Sequence, residues 1–451
     1  MTSAMESNTA KGTGGNSGPR PTKEQLEWAD AELGVLIHYD VQVFEPGYEW
    51  REQWGYQPSP SVFNPTELDT DQWVRTAKAA GAGYAVLVAK HCSGFSLWPT
   101  EAHGYSVKSS PWRDGQGDIV GDFIASCRKY GVRPGLYYSV AANAYFGVDN
   151  PGLVKSGDAE EQRRYNEMVI RQVTELWSNY GELFEIWFDG GTLPPEQGGP
   201  DVRSVLRKLQ PQAVCFQGPK EFPSLLRWIG NEDGVAPHPC WSTTDIVTNY
   251  GGHAECPLFG NGNPDGAVWA PAEADMPNRK PNQWFWAPNE DHLLYPVEEL
   301  TDCYLNSVGC NTNLLIGMVI DNRGLVPDAD VKQFTAFGEE IKRKFGQAVA
   351  ETSGSGTETI LELVAPTEVD TVVVMEEIAE GERVREYAID AWVNGEWRNL
   401  CGGISVGHKR IQQFEPVVTA KLRHTVTLSV DLPLIRKFAA FRCEDKAQAK
   451  L

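Results

Sequence analysis

The chain has 451 residues and a formal net charge of -21, with 41% hydrophobic and 22% charged residues. That length exceeds one ordinary domain and fits a large unit followed by a smaller one. The acidic balance argues against nucleic-acid and anionic-membrane partners, and no apolar run approaches the roughly 20 residues that cross a bilayer.

The first twenty residues, MTSAMESNTAKGTGGNSGPR, are small, polar and Gly-rich, with no apolar segment among them. They read as a disordered tail over 1–20 and not as a secretory signal. The expected compartment is therefore the cytoplasm, or the exterior if a leader was trimmed. Nine cysteines stand singly, at 92, 127, 215, 240, 256, 303, 310, 401 and 443. None forms a CxxC pair, which points to reduced thiols and away from a zinc site.

From there to about residue 348, short apolar strands alternate with longer helical stretches. GVLIHY (34–39) is a strand, TDQWVRTAKAAGA (70–82) a helix, and GYAVLVAKH (83–91) a strand. GDFIASCRKYGV (121–132) is a helix with a glycine stop, followed by the strand RPGLYYSV (133–140). A long helix over 159–181 feeds LFEIWFDG (183–190). Helix 202–211, strand AVCFQG (213–218), helix 296–310 and strand NLLIGM (313–318) continue the series. Near-continuous apolar strands joined by helices mean a parallel sheet covered by helices. The expected fold class is α/β, a (β/α)8-like barrel over 21–348. A doubly wound open sheet is the rival, but no Gly-rich phosphate loop follows the first strand.

ETSGSGTET (351–359) reads as a linker. Beyond it come short strands separated by turns, with no evident helix, so residues 349–451 are expected to form a β-sandwich domain.

In a parallel barrel the carboxyl ends of the strands carry the active site. Those ends present His38, Lys90 and His91, Tyr137 and Tyr138, Trp187 and Asp189; RWIGNEDG (227–234) adds Glu232 and Asp233. Each has a plainer reading. A strand-end histidine can be a structural hydrogen-bond partner, Trp187 can be core, and Asp189 before Gly190-Gly191 can be a turn former or a helix cap. Their convergence on one face favours function. No GxSxG or HExxH is present, and no metal-ligand spacing stands out. Carboxylates with aromatics suggest carbohydrate chemistry, in which one carboxylate attacks the anomeric carbon and a second carboxyl protonates the leaving oxygen.

GVLIHYD, YEW (48–50), FNPTELDTDQWVRTAKAAGAGYAVLVAKHCSGFSLWPT (63–100), DIVGDFIASCRKYGVRPGLYYS (118–139), IWFDGG and DCYLNSVGCNTNLLIGM (302–318) resemble the alpha-L-fucosidases of glycoside hydrolase family 29. The resemblance runs over nearly all of residues 25–345. MEEIAEGERVREYAIDAW (375–392) and GGISVGHKRI (402–411) are similar to that family's accessory sandwich domain.

The resemblance implies a retaining, exo-acting alpha-L-fucosidase that needs no metal or organic cofactor. Its partner is a fucosylated oligosaccharide, and its oligomeric state is left open. The family's W-x-D aspartate falls on Asp189 as nucleophile, with Trp187 lining the sugar pocket. His38, His91, Tyr137, Glu49 and Trp50 fall on the family's sugar-binding positions. The usual K-H-H-D-G-F is here Lys90-His91-Cys92-Ser93-Gly94-Phe95, so the second histidine is lost.

RWIGNEDG and SVAANAYFGVDNPG (139–152) resemble the branch acting on alpha-1,3 and alpha-1,4 linkages of Lewis type, which places the acid/base on Glu232. A broad-specificity enzyme for 1,2 and 1,6 linkages, or a fucose-binding protein without hydrolysis, is the alternative. Trp284, Phe285, Trp286 and Trp241 are candidates for the side that holds the rest of the glycan. Trp228 is expected to raise the Glu232 pKa by desolvation. The accessory domain is expected to brace the barrel, with sugar binding as the alternative. His408 is read as structural, with reach into the active site as its alternative.

Overall fold

The computed structural model describes residues 18–245 and 260–443. Most of the expected tail, and Cys256, lie outside the described residues. Among those residues, no helix is long and apolar enough to cross a membrane.

Eight parallel strands close into a barrel: β1 (Leu33–His38), β2 (Tyr84–Lys90), β3 (Arg133–Tyr138), β4 (Glu185–Trp187), β5 (Val214–Phe216), β6 (Leu225–Trp228), β7 (Ala272–Met276) and β8 (Asn313–Val319). Each pairs with its neighbours in chain order, and β8 closes on β1 with Leu33 opposite Leu314. Helix α1 (Lys23–Ala29) precedes the barrel. Helices α2 (Thr70–Ala79), α3 (Ile119–Tyr130), α4 (Ala159–Asn179), α5 (Val202–Leu209), α6 (Val297–Asn306) and α7 (Asp328–Phe345) surround it. The helical layer has a gap, because β5 runs to β6 through a short loop with no helix.

Local chemistry sets these boundaries. Asp69, Asp118 and Asp158 each cap a helix by accepting backbone N–H groups of its first turn. α3 ends at Gly131 in the left-handed conformation, where a side chain would be strained. α1 starts with a reciprocal Thr22–Gln25 capping box. It then seals the barrel floor: Trp28 joins the interior cluster, and Gln25 Nε2 donates to the Leu225 carbonyl at 2.9 Å.

Alternate residues of each strand point inward and pack as a second core inside the helices' own. Tyr137, Trp187 and Phe216 lie side by side in register on β3, β4 and β5. Gly34 makes room for the Tyr84 ring, which a Cβ there would approach to 2.5 Å. Tyr84 can therefore cross the lumen and donate its hydroxyl to Glu273 Oε1 at 2.6 Å.

Beyond α7 lies an antiparallel domain of six strands: β9 (Ala350–Ser355), β10 (Glu358–Glu376), β11 (Val384–Val393), β12 (Glu396–Gly403), β13 (Arg410–Ser429) and β14 (Leu434–Phe441). The hydrogen-bonded order is β9-β14-β10-β13-β11-β12. Register shifts interrupt the long pair β10–β13, where bulges let strands bend around one apolar core. The linker expected over 351–359 is instead mostly strand: β9 pairs antiparallel with β14 at the edge of the sheet, and the chain turns at Gly356, φ +103°, into β10 on the other side of β14. Its Gly/Ser/Thr composition is that of an edge strand with little buried surface.

This domain grips the barrel floor. The buried Glu382 carboxylate accepts from the Ser242 hydroxyl at 2.7 Å and from Asn311 Nδ2 at 2.6 Å. His408 donates its backbone N–H to Asn311 Oδ1 at 2.6 Å, with its ring 3.6 Å from Glu32 at the start of β1. The six residues of β1 put His408 about 20 Å below the mouth at ~3.3 Å per residue. These contacts give His408 a structural place and brace the barrel.

Candidate active site

Asp189 stands two residues past β4, on the same strand face as Glu185 and Trp187. Gly190 and Gly191 follow with φ of +68° and +77°, a left-handed backbone that other residues adopt only under strain. A Cβ on Gly190 would also crowd Ala141 at 3.3 Å. The double glycine thus turns the chain sharply and leaves the half-buried carboxylate at the rim.

Tyr137 donates its hydroxyl to Asp189 Oδ2 at 2.9 Å. Burial, then the Asp189 charge, hold that phenol well above its ordinary pKa, so it stays a donor. Its ring stacks on Trp187 at 5.1 Å, which stacks on Phe216 at 4.1 Å. Trp187 Nε1 donates to Glu273 Oε2 at 3.0 Å, which fixes the indole from below. Glu185 lies beside Glu273 in the lumen. Burial, then the Glu273 charge, push Glu185 far above the ordinary carboxyl range, and burial pushes Glu273 upward too.

His38 ends β1, with its Nδ1 3.3 Å from the Leu36 carbonyl. That contact makes Nδ1 the protonated nitrogen and leaves Nε2 as an acceptor. Burial drives its pKa down to about 3, so the ring is neutral. His91 is neutral as well, held well below its ordinary value by burial and then by the His38, Lys90 and Arg51 charges. Its ring lies 5.9 Å from Tyr137 and 6.3 Å from His38. Neutral imidazoles beside a carboxylate suit the binding of sugar hydroxyls, since they accept as well as donate.

The opposite wall comes from the loop after β7. Trp284 Nε1 donates to Glu232 Oε2 at 3.0 Å, and its ring lies 4.9 Å from His38. Phe285 touches His38 at 5.1 Å and His91 at 4.9 Å. Gly317 on β8 is what admits Trp284, because a Cβ there would sit 2.8 Å from the indole. An unbroken series of side-chain contacts therefore joins Asp189 to Glu232 through Tyr137, His91, Phe285, His38 and Trp284.

Trp286 is half-buried and packs against the outer core, next to Trp284 and Phe285, whose rings contact His38. The placing of Trp241 needs correction. Trp241 is buried at the floor under the Arg385 guanidinium, 4.7 Å from its ring, and lines no part of the mouth. Trp228 donates its Nε1 to Asp275 Oδ1 at 2.6 Å. Asp275 is buried on β7 and held well above its ordinary pKa by that burial, with Glu232 adding to the rise. Trp50 packs with Tyr48, Cys92 and Ala142 beside the pocket, and Glu49 before it is exposed on the rim loop.

Glu273 and Asp275 escaped the sequence reading, although E-x-D at period two is the pattern of a strand with an inward polar face. No sequence signal ties Trp284 to Glu232, because their contact depends on how two loops return to the rim.

The family model for alpha-L-fucosidase matches residues 16–344. The chain belongs to the alpha-L-fucosidase family, glycoside hydrolase family 29. It is similar to alpha-L-fucosidase 1 of Arabidopsis thaliana, at 31% identity over 89% of this chain and 83% of the relative. The crystal structure of a proposed alpha-L-fucosidase from Bacteroides thetaiotaomicron superposes with a TM-score of 0.89 at 40% identity, covering 95% of this chain and 100% of that one. A family 29 member from an unknown rumen bacterium gives 0.80 at 30% identity, over 96% of this chain and 79% of that one. As a fucosidase-family barrel, this molecule is a glycoside hydrolase.

Proposed function

We propose that the protein is a retaining exo-alpha-L-fucosidase acting on terminal alpha-1,3- and alpha-1,4-linked fucose of Lewis-type glycans. The observation that carries this reading is the pair of half-buried carboxyls, each of which accepts a hydrogen bond from an aromatic donor: Asp189 from Tyr137 and Glu232 from Trp284.

The ionised Asp189 attacks the anomeric carbon while Glu232 gives its proton to the glycosidic oxygen. The C–O bond breaks and the aglycone leaves as an alcohol. Glu232, now ionised, takes a proton from water; the hydroxide attacks the same carbon and expels Asp189. Two inversions restore the original configuration. This scheme places the two carboxyls about 5–5.5 Å apart when sugar is bound. Acid, base and nucleophile all come from side chains, so the chemistry calls for no cofactor. His38, His91, Trp50 and Trp187 are the proposed contacts to fucose, with Glu49 reaching it from the rim loop. The linkage preference rests on the RWIGNEDG and 139–152 segments.

The test is fucose release, side by side, from a Lewis trisaccharide, 2'-fucosyllactose and an aryl fucoside. Rapid release from the Lewis substrate with little from 2'-fucosyllactose supports the whole reading. Equal release from both glycans removes the linkage assignment and keeps the hydrolase. Binding of fucose without release from any substrate overturns the activity itself.

A further inference from the structure

The loss of the second histidine puts a thiol into the pocket. β2 ends at Lys90, and the chain turns at once, with the Gly94 N–H donating to the His91 carbonyl at 3.1 Å. That turn lets consecutive residues, which a strand would send to opposite faces, converge on one side. One donor atom each from His91, Cys92 and Asp189 lies within 4.8 Å of the others.

We propose that these three residues form a site for a thiophilic divalent cation of the zinc type, and that its occupation inhibits the enzyme reversibly.

The donor set decides the class of ion. Thiolate plus imidazole selects zinc, cadmium or cobalt over magnesium and calcium, which want oxygen ligands. Three protein ligands leave a fourth position for water. Bond lengths of about 2.0–2.3 Å place tetrahedral ligands roughly 3.5 Å apart, so side-chain rotations of about 1 Å close the site. His91 offers a second, independent sign: its Nδ1 is buried and makes no hydrogen bond among the described residues. A buried imidazole nitrogen without a partner is costly, and a ligand would relieve that cost.

Balance is simple. The cation forms its bond to sulfur as the Cys92 thiol loses its proton to solvent, and no electrons are transferred. An ion held by Asp189 occupies the carboxylate that faces the sugar, so it excludes substrate. The inhibition is competitive.

The full chain can be titrated with cobalt(II), which gives a near-ultraviolet thiolate-to-metal absorption when sulfur binds. This readout does not depend on whether Asp189 is a nucleophile, so it fails independently of the proposed reaction. One equivalent of cobalt should develop the band, zinc should displace it, and Cys92→Ser should lack it. Zinc should raise the apparent KM for an aryl fucoside without changing kcat. Relative to each protein's own uninhibited rate, the half-inhibiting zinc concentration should rise at least roughly tenfold in Cys92→Ser. His91→Gln, which keeps the thiol, should weaken cobalt binding as well. The proposal is overturned by the absence of a cobalt–thiolate band, by a band retained in Cys92→Ser, or by unchanged cobalt affinity in His91→Gln.

Discussion

Tyr137 and Asp189 meet across two neighbouring strand ends, with the phenol donating to the carboxylate at 2.9 Å. The strands hold both ends of that bond: Tyr137 pairs in register with Trp187, two residues before Asp189. A carboxylate aimed this way costs little to orient at the moment of reaction. Tyr137→Phe keeps the ring stacked on Trp187 and deletes only the donor. Hydrogen bonds to charged groups contribute about 1.5–3 kcal/mol, so kcat should fall roughly 10- to 100-fold with a smaller change in KM. An unchanged kcat would show that the bond does not position Asp189 for reaction.

The Trp284–Glu232 bond predicts a dependence on the leaving group. Glu232→Ala should cost roughly 10²–10⁴-fold on a natural glycan and much less on an aryl fucoside whose leaving group needs no proton. Trp284→Phe should show the same contrast at about tenfold. Gly317→Ala should mimic it from a distance, because the added Cβ displaces the indole. Rates on both substrate types check this; a uniform loss across leaving groups would remove Glu232 from the acid role.

Much of this was legible in the chain. The strands bearing His38, His91, Tyr137 and Asp189 are long apolar runs ending in polar residues, and helices with aspartate caps and glycine stops separate them. β7 was not legible. Its inward face carries Glu273 and Asp275, so no apolar run marks AEADM as a strand. α1 was missed because its burial comes from plugging the barrel floor and not from an amphipathic stripe. Trp284, Phe285 and Trp286 stand in one aromatic run, and the Gly317 notch that admits Trp284 is not visible in the sequence. The 351–359 segment has linker composition because an edge strand buries so little.

Both pocket histidines are neutral, which predicts a pH profile. His38 titrates at about 3, far below the working range. The kcat/KM profile should therefore show no ionisation in the ordinary imidazole region from this residue. His38→Asn should be slower but retain the parent profile's shape. Loss of a limb near the imidazole range in that variant would contradict a neutral His38.

Glu185 and Glu273 make the fold sensitive to pH in a definite direction. Burial raises both pKa values in the folded state above the ordinary 4.5. Their stabilising protonated form is therefore fully present below the unfolded value. The benefit is lost as pH rises through the raised folded values. Glu273→Gln removes one of the two charges, so Tm should decline less than in the parent between mildly acidic and neutral pH. Thermal melts across that interval check this; an equal or steeper decline in the variant would contradict it.

The central claim is that Asp189 forms the covalent bond to fucose. The most direct measurement is to treat the protein with a 2-fluoro fucosyl fluoride, which slows breakdown of the intermediate, and to map the labelled peptide by mass spectrometry. The account predicts one fucosyl group per chain, on Asp189, with no label in Asp189→Asn. A label on Glu232 or any other residue, or turnover of the reagent with inversion and no label at all, would contradict it.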